Sequence, residues 1–293
     1  MLDASRLRLL HDLSRLGTIA AVARLRTYTP SAVSQQLAVL EREAGTALLA
    51  RTGRTVTLTA AGQILAAHAA TVLAALDEAE AALAAVRGGL RGPLRIGAYP
   101  SAVRTLLPAA LVHLGRDHPG LDLTVTELDP VAVPAALADR AIDVGLIQDY
   151  DIAPAAPARD LDSHPLLDET VHLAGAASLA AAAGEPWILA SPGTLCHTAT
   201  LHLCRTAGFE PRARHHADDF ATVLALVAAG QGVSIVPQLA TADPPPAVTL
   251  TPLPARRRTR IAHRRAAAGH PAVTACTTAL QAAAATYLDA ARS

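Results

Sequence analysis

TPSAVSQQLAVLEREAGTALLAR, from Thr29 to Arg51, is the stretch on which the reading of this chain turns. Pro30 suits the first position of a helix, where the missing N–H is not needed, and the helix runs to about Glu43 before Gly45 stops it. Val33, Leu37 and Leu40 share one side of that helix, while Ser31, Ser34, Gln35 and Gln36 occupy the rest. A short rod anchored by its apolar side and offering small polar or amide side chains from its first turns is the second helix of a helix-turn-helix, which lies in the DNA major groove. Gln pairs with adenine through two hydrogen bonds, and Ser reaches base or phosphate. Thr29, Pro30, Ser31, Ser34, Gln35 and Gln36 are therefore the candidate DNA contacts of this helix.

The flanks fit the same unit. Upstream, Leu7, Leu10, Leu13 and Leu16 recur at helical spacing and end at Gly17. Thr18 then caps a second short helix, Ile19 to Leu25, and Arg26 to Thr29 make the turn. Downstream, Thr52-Gly53-Arg54 is turn-like, and Val56 and Leu58 alternate with Thr55, Thr57 and Thr59 as in a small hairpin. Arg51 and Arg54 in this wing suit phosphates or the adjacent minor groove. Residues 1–60 hold eight Arg against four acidic side chains. That local excess of positive charge agrees with a phosphate partner, although the chain as a whole has formal net charge +0.

Ala60 to Val86 contains no Pro, and Leu65, Ala69, Val72, Leu76, Ala79, Leu83 and Val86 are spaced alternately four and three apart. Such a heptad seam predicts a helix that pairs with a second copy. Gly88, Gly89, Gly92 and Pro93 read as the linker that follows.

Beyond Pro93, strands alternate with helices. Leu94–Ala98, Leu121–Leu128 and Val144–Gln148 are predicted strands, with helices at Ser101–Arg116 and Val131–Arg140 between them. A second set begins near Leu166, with strands at Val171–Ala174, Trp187–Ala190, Arg212–His216 and Val233–Val236. Its helices are Leu195–Ala207 and Asp219–Ala229. Strands near Val248–Leu253 and Thr259–His263 and a helix from Pro271 to Ala291 complete the chain. This alternation predicts parallel sheets covered by helices, in two lobes.

Composition bounds the rest. Hydrophobic residues make up 51% but aromatics only 2%, so Ala, Leu and Val must fill the interior. The charged N-terminus is no signal peptide, and no apolar run has the ~18 residues of a membrane span. A chain that remains in the cytoplasm, off the membrane, is expected.

The ordered pieces at Thr29–Arg51 and around them resemble the LysR-type transcriptional regulators: the S-x-V-S-x-Q-like helix, L-E-x-x-x-G, L-L-x-R and L-T-x-A-G. GPLRIGAYPSAVRTLLPAALVHLGRDHPGLDLTVTE, AIDVGLI and ALVAAGQGVSIVPQLA look like later segments of that family. One departure is Leu49, where many relatives carry Phe. The resemblance implies an all-α winged helix-turn-helix at 1–59 and a linker and dimerisation helix at 60–88. It implies a two-lobed, periplasmic-binding-protein-like α/β sensor, with lobe I at 93–162 plus 266–293 and lobe II at 163–265. It implies double-stranded promoter DNA as partner, self-association as a dimer or tetramer, contact with RNA polymerase, and a small anionic metabolite as effector in the cleft between lobes. Carried over position by position, the effector contacts are Ser101, Asp129, Gln148, Thr194 and Phe220. Ser101 and Thr194 are expected just before helices, whose free N–H groups suit an anion. Neither cofactor, metal nor catalytic residues are expected.

Three other chemistries fit the sequence less well. Cys196 and Cys204 lie near the reactive pair of peroxide-sensing relatives, but eight residues apart on a predicted helix they sit about 12 Å apart, too far for a disulfide. His215 and His216 would point to opposite faces of a strand, which suits Asp218 and a shared metal poorly. No G-x-S-x-G, H-E-x-x-H or phosphate loop speaks for an enzyme.

Overall fold

The helix quoted at the outset, α3 (Pro30–Ala44), is the third of a bundle with α1 (Ala4–Leu16) and α2 (Ile19–Arg26). Each begins on a side-chain cap: Asp3 accepts from the Arg6 N–H, Thr18 from Ala21 and Thr29 from Ala32. α1 and α3 end on Gly17 and Gly45 in left-handed conformations (φ 72° and 67°). Leu7, Leu10, Leu13, Val33, Leu37 and Leu40 form the core; Leu16, expected on the same face, is 41% exposed at the helix end. Buried Asp12 of α1 pairs with Arg26 at 2.6 Å, locking α2 to α1. The hairpin of β1 (Leu49–Thr52) and β2 (Thr55–Leu58) follows, antiparallel, and leads into α4 (Ala60–Gly88). Leu49 packs half-buried against the bundle core.

This computed structural model describes residues 1–52, 55–153 and 161–290, and the chain divides into two compact units, Met1–Arg87 and Gly88–Ser293. The seam read along α4 does two things within the first unit. Ala69 of the seam is buried in the bundle core, and Ala66 and Leu73, both outside the seam, are buried too, whereas the seam residues Val72, Leu76 and Leu83 are exposed.

The second unit opens with β3 (Arg91–Ala98), α5 (Pro100–Thr105), α6 (Leu107–Asp117), β4 (Gly120–Glu127), α7 (Val133–Ala138) and β5 (Val144–Tyr150). Gly92 and Pro93, expected in the linker, already belong to β3, where they pair with Leu121 and Asp122 of β4. The single helix expected over 101–116 is broken at Leu106. Pro108 cannot donate to the carbonyl of Arg104 and its ring crowds that turn.

Then come β6 (Leu161–Ala174), α8 (Leu179–Ala182), β7 (Pro186–Leu189), α9 (Leu195–Thr206), β8 (Arg212–His216), α10 (Phe220–Ala228), β9 (Ser234–Pro237), β10 (Leu250–Arg264) and α11 (Pro271–Ala290). The sheet order β4-β3-β5-β10-β6-β9 corrects the expectation of purely parallel sheets. β4, β3 and β5 are parallel, but β10 runs antiparallel to both β5 and β6, as β9 does to β6. β7 and β8 form a separate parallel pair. The two tail strands read from sequence are one strand, β10, with irregularities between Pro252 and Arg256, which tolerates Pro254, and between Thr259 and Arg260. Separate cores lie at the two ends: Leu94, Ile96, Leu114 and Leu280 under β3 and β5, and Val171, Trp187, Leu203 and Val233 around β7 and α9. Among the described residues, no helix is long and apolar enough to cross a membrane.

Candidate functional site

In the first unit, α3 presents the face that the sequence predicts. Val33, Leu37 and Leu40 are buried, while Ser31, Gln35 and Gln36 are exposed and Ser34 is half-buried. Thr29 serves as the cap of α3, and its Oγ1 lies 3.0 Å from the Ser31 hydroxyl. Gln36 is held: its Oε1 accepts from Arg6 Nε at 2.9 Å, and Arg6 also pairs with Glu43. Gln35 has no such tie among the described residues and stands free on the surface. Glu41 accepts from the N–H groups of both Leu48 and Leu49 at 2.9 Å, fixing the start of the wing on the end of α3. Arg51 lies in β1, and Arg54 lies outside the described residues.

In the second unit, the five positions carried over for effector contact come from separate segments and converge. Ser101, Asp129, Gln148, Thr194 and Phe220 all line one cavity of about 360 Å³. It sits beyond the carboxyl ends of β3, β4 and β5, where crevices form in open α/β sheets. Two of the expected roles change on inspection. Ser101 lies inside α5, with Tyr99 at the cap position, so it does not precede a helix. Thr194 does precede α9, but its Oγ1 accepts from His197 N–H at 3.2 Å, and its hydroxyl donates to the Ser191 carbonyl. At Thr194 this local capping takes up one of the N–H groups at the start of α9, whereas Tyr99 at the cap position of α5 makes no side-chain cap hydrogen bond.

The floor of the cavity holds groups that sequence reasoning missed. Arg257 of β10 is fully buried; its Nη2 and Nε both lie 2.7 Å from Glu169 Oε1. Glu169 Oε2 accepts from the Leu239 N–H at 2.6 Å. The guanidinium carbon stands 4.8 Å from the centre of the Tyr99 ring, and Nη2 reaches the Ser101 hydroxyl at 3.5 Å. Burial pushes the Tyr99 phenol up to about 12, against the pull of Arg257. Its OH shares a 2.7 Å hydrogen bond with Thr259. Burial likewise raises Glu169 above the usual carboxylate range, with Arg257 opposing.

Beside them, Cys196 has its sulfur 3.2 Å from the Tyr150 hydroxyl and 3.8 Å from Gln148 Nε2. Burial raises this thiol, as it does Cys204, which is pushed up to about 12. Both cysteines lie on α9 and both are free. The Gln148 side-chain oxygen is buried and, among the described residues, has no hydrogen-bond partner.

The cavity rim is acidic. Glu127, Asp129, Asp218 and Asp219 line it, against Arg257 on the floor. Asp218 accepts from the Ser191 N–H and hydroxyl at 2.7 Å each, and Asp219 pairs with Arg104 at 2.9 Å. This charge runs against the anionic effector expected from the resemblance. His215 and His216 lie in β8, and among the described residues no group of three or more His, Cys, Asp or Glu converges as metal ligands.

A helix-turn-helix with a hairpin wing, followed by an α/β unit with a ligand-sized cavity, defines a DNA-binding regulator that carries a sensing domain. Residues 4–63 match the family described as bacterial regulatory helix-turn-helix protein, lysR family, and residues 87–285 match the LysR substrate binding domain. The chain belongs to the LysR-type transcriptional regulators. It is 33% identical over 240 residues to a probable hydrogen peroxide-inducible genes activator of Mycobacterium avium, covering 77% of each chain. It is also 33% identical over 226 residues to the uncharacterized HTH-type transcriptional regulator YnfL of Escherichia coli, covering 74% of this chain and 75% of that one. The fold resembles the crystal structure of ArgP from Mycobacterium tuberculosis with a TM-score of 0.70, at 22% identity, over 97% of this chain and 98% of that one.

Proposed function

We propose that this regulator reads promoter DNA with the free face of α3 and senses a small molecule in the cavity lined by Ser101, Asp129, Gln148, Thr194 and Phe220. The observation that carries the reading is the convergence of these five positions, from five separate segments, on one cavity of a size that suits a metabolite. Thr29, Pro30 and Ser31 approach the DNA backbone and base edges at the start of α3, Ser34 and Gln35 read the groove, and Gln36 is pre-set by Arg6. Arg51 and Arg54 of the wing contact phosphates or the minor groove. The exposed residues Val72, Leu76 and Leu83 of α4 support pairing with a second copy, from which dimers or tetramers are built.

The division is a winged domain at 1–59, a dimerisation helix at 60–88, lobe I at 93–162 with 266–293, and lobe II at 163–265. The matched family regions and the two cores of the sensor unit support it. The effector acts by binding one arrangement of lobes or subunits more tightly than another, which changes the DNA contacts and access of RNA polymerase. The protein works in the cytoplasm as a binding protein without turnover.

The test is DNA binding by the full chain, read by fluorescence anisotropy on the promoter fragment adjoining its own gene and on unrelated DNA. Gln35→Ala is expected to cost about 1–3 kcal/mol on the promoter and little on unrelated DNA. Arg54→Ala is expected to weaken both and to lower the salt slope by about 1. Equal loss on both DNAs for Gln35→Ala contradicts base reading by α3.

A further inference from the structure

We infer that the molecule sensed in the cavity carries a cationic amine, which docks at the acidic rim while its polar end reaches the Gln148 amide; this rests on the cavity being the effector site. Two independent observations lead there. The first is charge. Arg257 is matched by Glu169 and Arg104 by Asp219, so neither cation remains to neutralise the rim. Glu127, Asp129 and Asp218 make no ion pair among the described residues. Two of the three are fixed in place by neutral donors: Asp129 accepts from the Val131 N–H at 2.8 Å, and Asp218 from Ser191. Such bonds orient a carboxylate and leave its charge uncompensated. Asp129 lines the same cavity as Cys196 and Arg257.

The second observation is the Gln148 side chain, 6% exposed and lining the cavity. Its Nε2 donates to the Cys196 sulfur at 3.8 Å, and among the described residues its Oε1 has no hydrogen-bond partner. An unpaired buried carbonyl oxygen is costly, and a donor brought by a ligand removes that cost. An ammonium or amide N–H supplies a donor, whereas a carboxylate supplies only acceptors and adds repulsion at the rim. Leu128, Pro130, Leu195 and Phe220 line the same cavity and suit a short methylene chain. The class indicated is a small diamine, with one ammonium at Asp129 and Asp218 and the other end donating to the Gln148 side-chain oxygen.

The experiment uses three four-carbon probes that differ in charge: 1,4-diaminobutane, 4-aminobutanoate and succinate, each titrated calorimetrically into the full chain at low ionic strength. 1,4-Diaminobutane is expected to bind about tenfold or more tightly than succinate, with 4-aminobutanoate between them, and the affinity of the diamine is expected to fall as NaCl is raised. Asp129→Asn and Asp218→Asn are each expected to weaken the amines about three- to tenfold without improving their fit. A thermal melt of each variant checks folding, and the salt dependence of the unaltered chain tests the charge claim without any variant.

Succinate binding as tightly as the amines, or more so, overturns the inference; if that binding is lost in Gln148→Leu, the cavity remains the effector site. Amine binding untouched by Asp129→Asn, Asp218→Asn and Gln148→Leu together overturns both the inference and the cavity reading. Absence of binding for all three probes at millimolar concentration also overturns the inference, while binding of DNA is unaffected by that result.

Discussion

A guanidinium with no exposed surface is held at the centre of the sensor unit by one carboxylate, one aromatic face and one hydroxyl. Removing one member of such a pair leaves the other charged and dry. Glu169→Gln is therefore expected to destabilise the chain by roughly 3–5 kcal/mol, measured by chemical denaturation. Replacing both partners, as Glu169→Leu with Arg257→Met, is expected to recover much of that loss. The thiols allow a second check. Burial raises Cys196, and pushes Cys204 and Cys276 up to about 12, so all three are thiols at neutral pH. Alkylation at pH 8 is expected to be at least about tenfold slower in the native chain than in denaturant. Mild peroxide is expected to leave Cys196 and Cys204 unbridged, as a mass spectrum will read. Asp219 caps α10 through the Thr222 N–H, and that bond with the Arg104 contact lowers its carboxyl although burial opposes. Because its folded value is depressed, its stabilisation is present above the unfolded value near 4 and is lost as pH falls through the lower folded one. The stability difference between the parent and Asp219→Ala, about 1 kcal/mol at neutral pH, is expected to shrink below about pH 4.

Helices and turns that depend on their neighbours in sequence were legible; elements that depend on distant partners were not. α3 could be read because Thr29, Pro30 and Gly45 mark its ends and Val33, Leu37 and Leu40 mark its buried side, all within one short window. The break between α5 and α6 was also written in the chain, at Pro108, but the amphipathic pattern across it masked the signal. β10 hid its function differently. Ala255, Arg257 and Thr259 alternate inward while Arg256 and Arg258 face solvent, and three consecutive Arg look like a solvated surface until Glu169 is seen 88 positions away. Alternation through an arginine run, with an acid on the apolar side of a long strand elsewhere (Glu169 in line with Leu167, Val171 and Leu173), is the pattern that would have found the pair. The five cavity positions were located through family resemblance; the spacing of the segments that bear them carries no such information. At the start of α4, the Gly in L-T-x-A-G has a physical reason. A Cβ on Gly62 would stand 2.1 Å from the Leu48 carbonyl oxygen, where wing and helix cross. Thr59 completes the junction, accepting from the Gly62 N–H and donating to the Ala47 carbonyl. Gly62→Ala is expected to destabilise the winged unit by about 1–3 kcal/mol, seen as an earlier thermal transition.

Each of the two units has its own core, so damage to one should be separable from damage to the other. Leu76→Glu tests the proposed pairing helix without touching either core, since Leu76 is 42% exposed. The expected result is a shift toward monomer in light scattering at unchanged helix content, with weakened promoter binding because single winged domains hold half-sites poorly. In the sensor unit, β10 is one strand of 15 residues, about 50 Å from end to end, paired with β5 on one side and β6 on the other. Arg257 lies along it, between Ala255 of one core and Ile261 of the other. A metabolite that draws on Gln148, whose register partner on that strand is Thr259, thus pulls on a girder common to both halves of the sensor, so its arrival should register as a twist along the whole span.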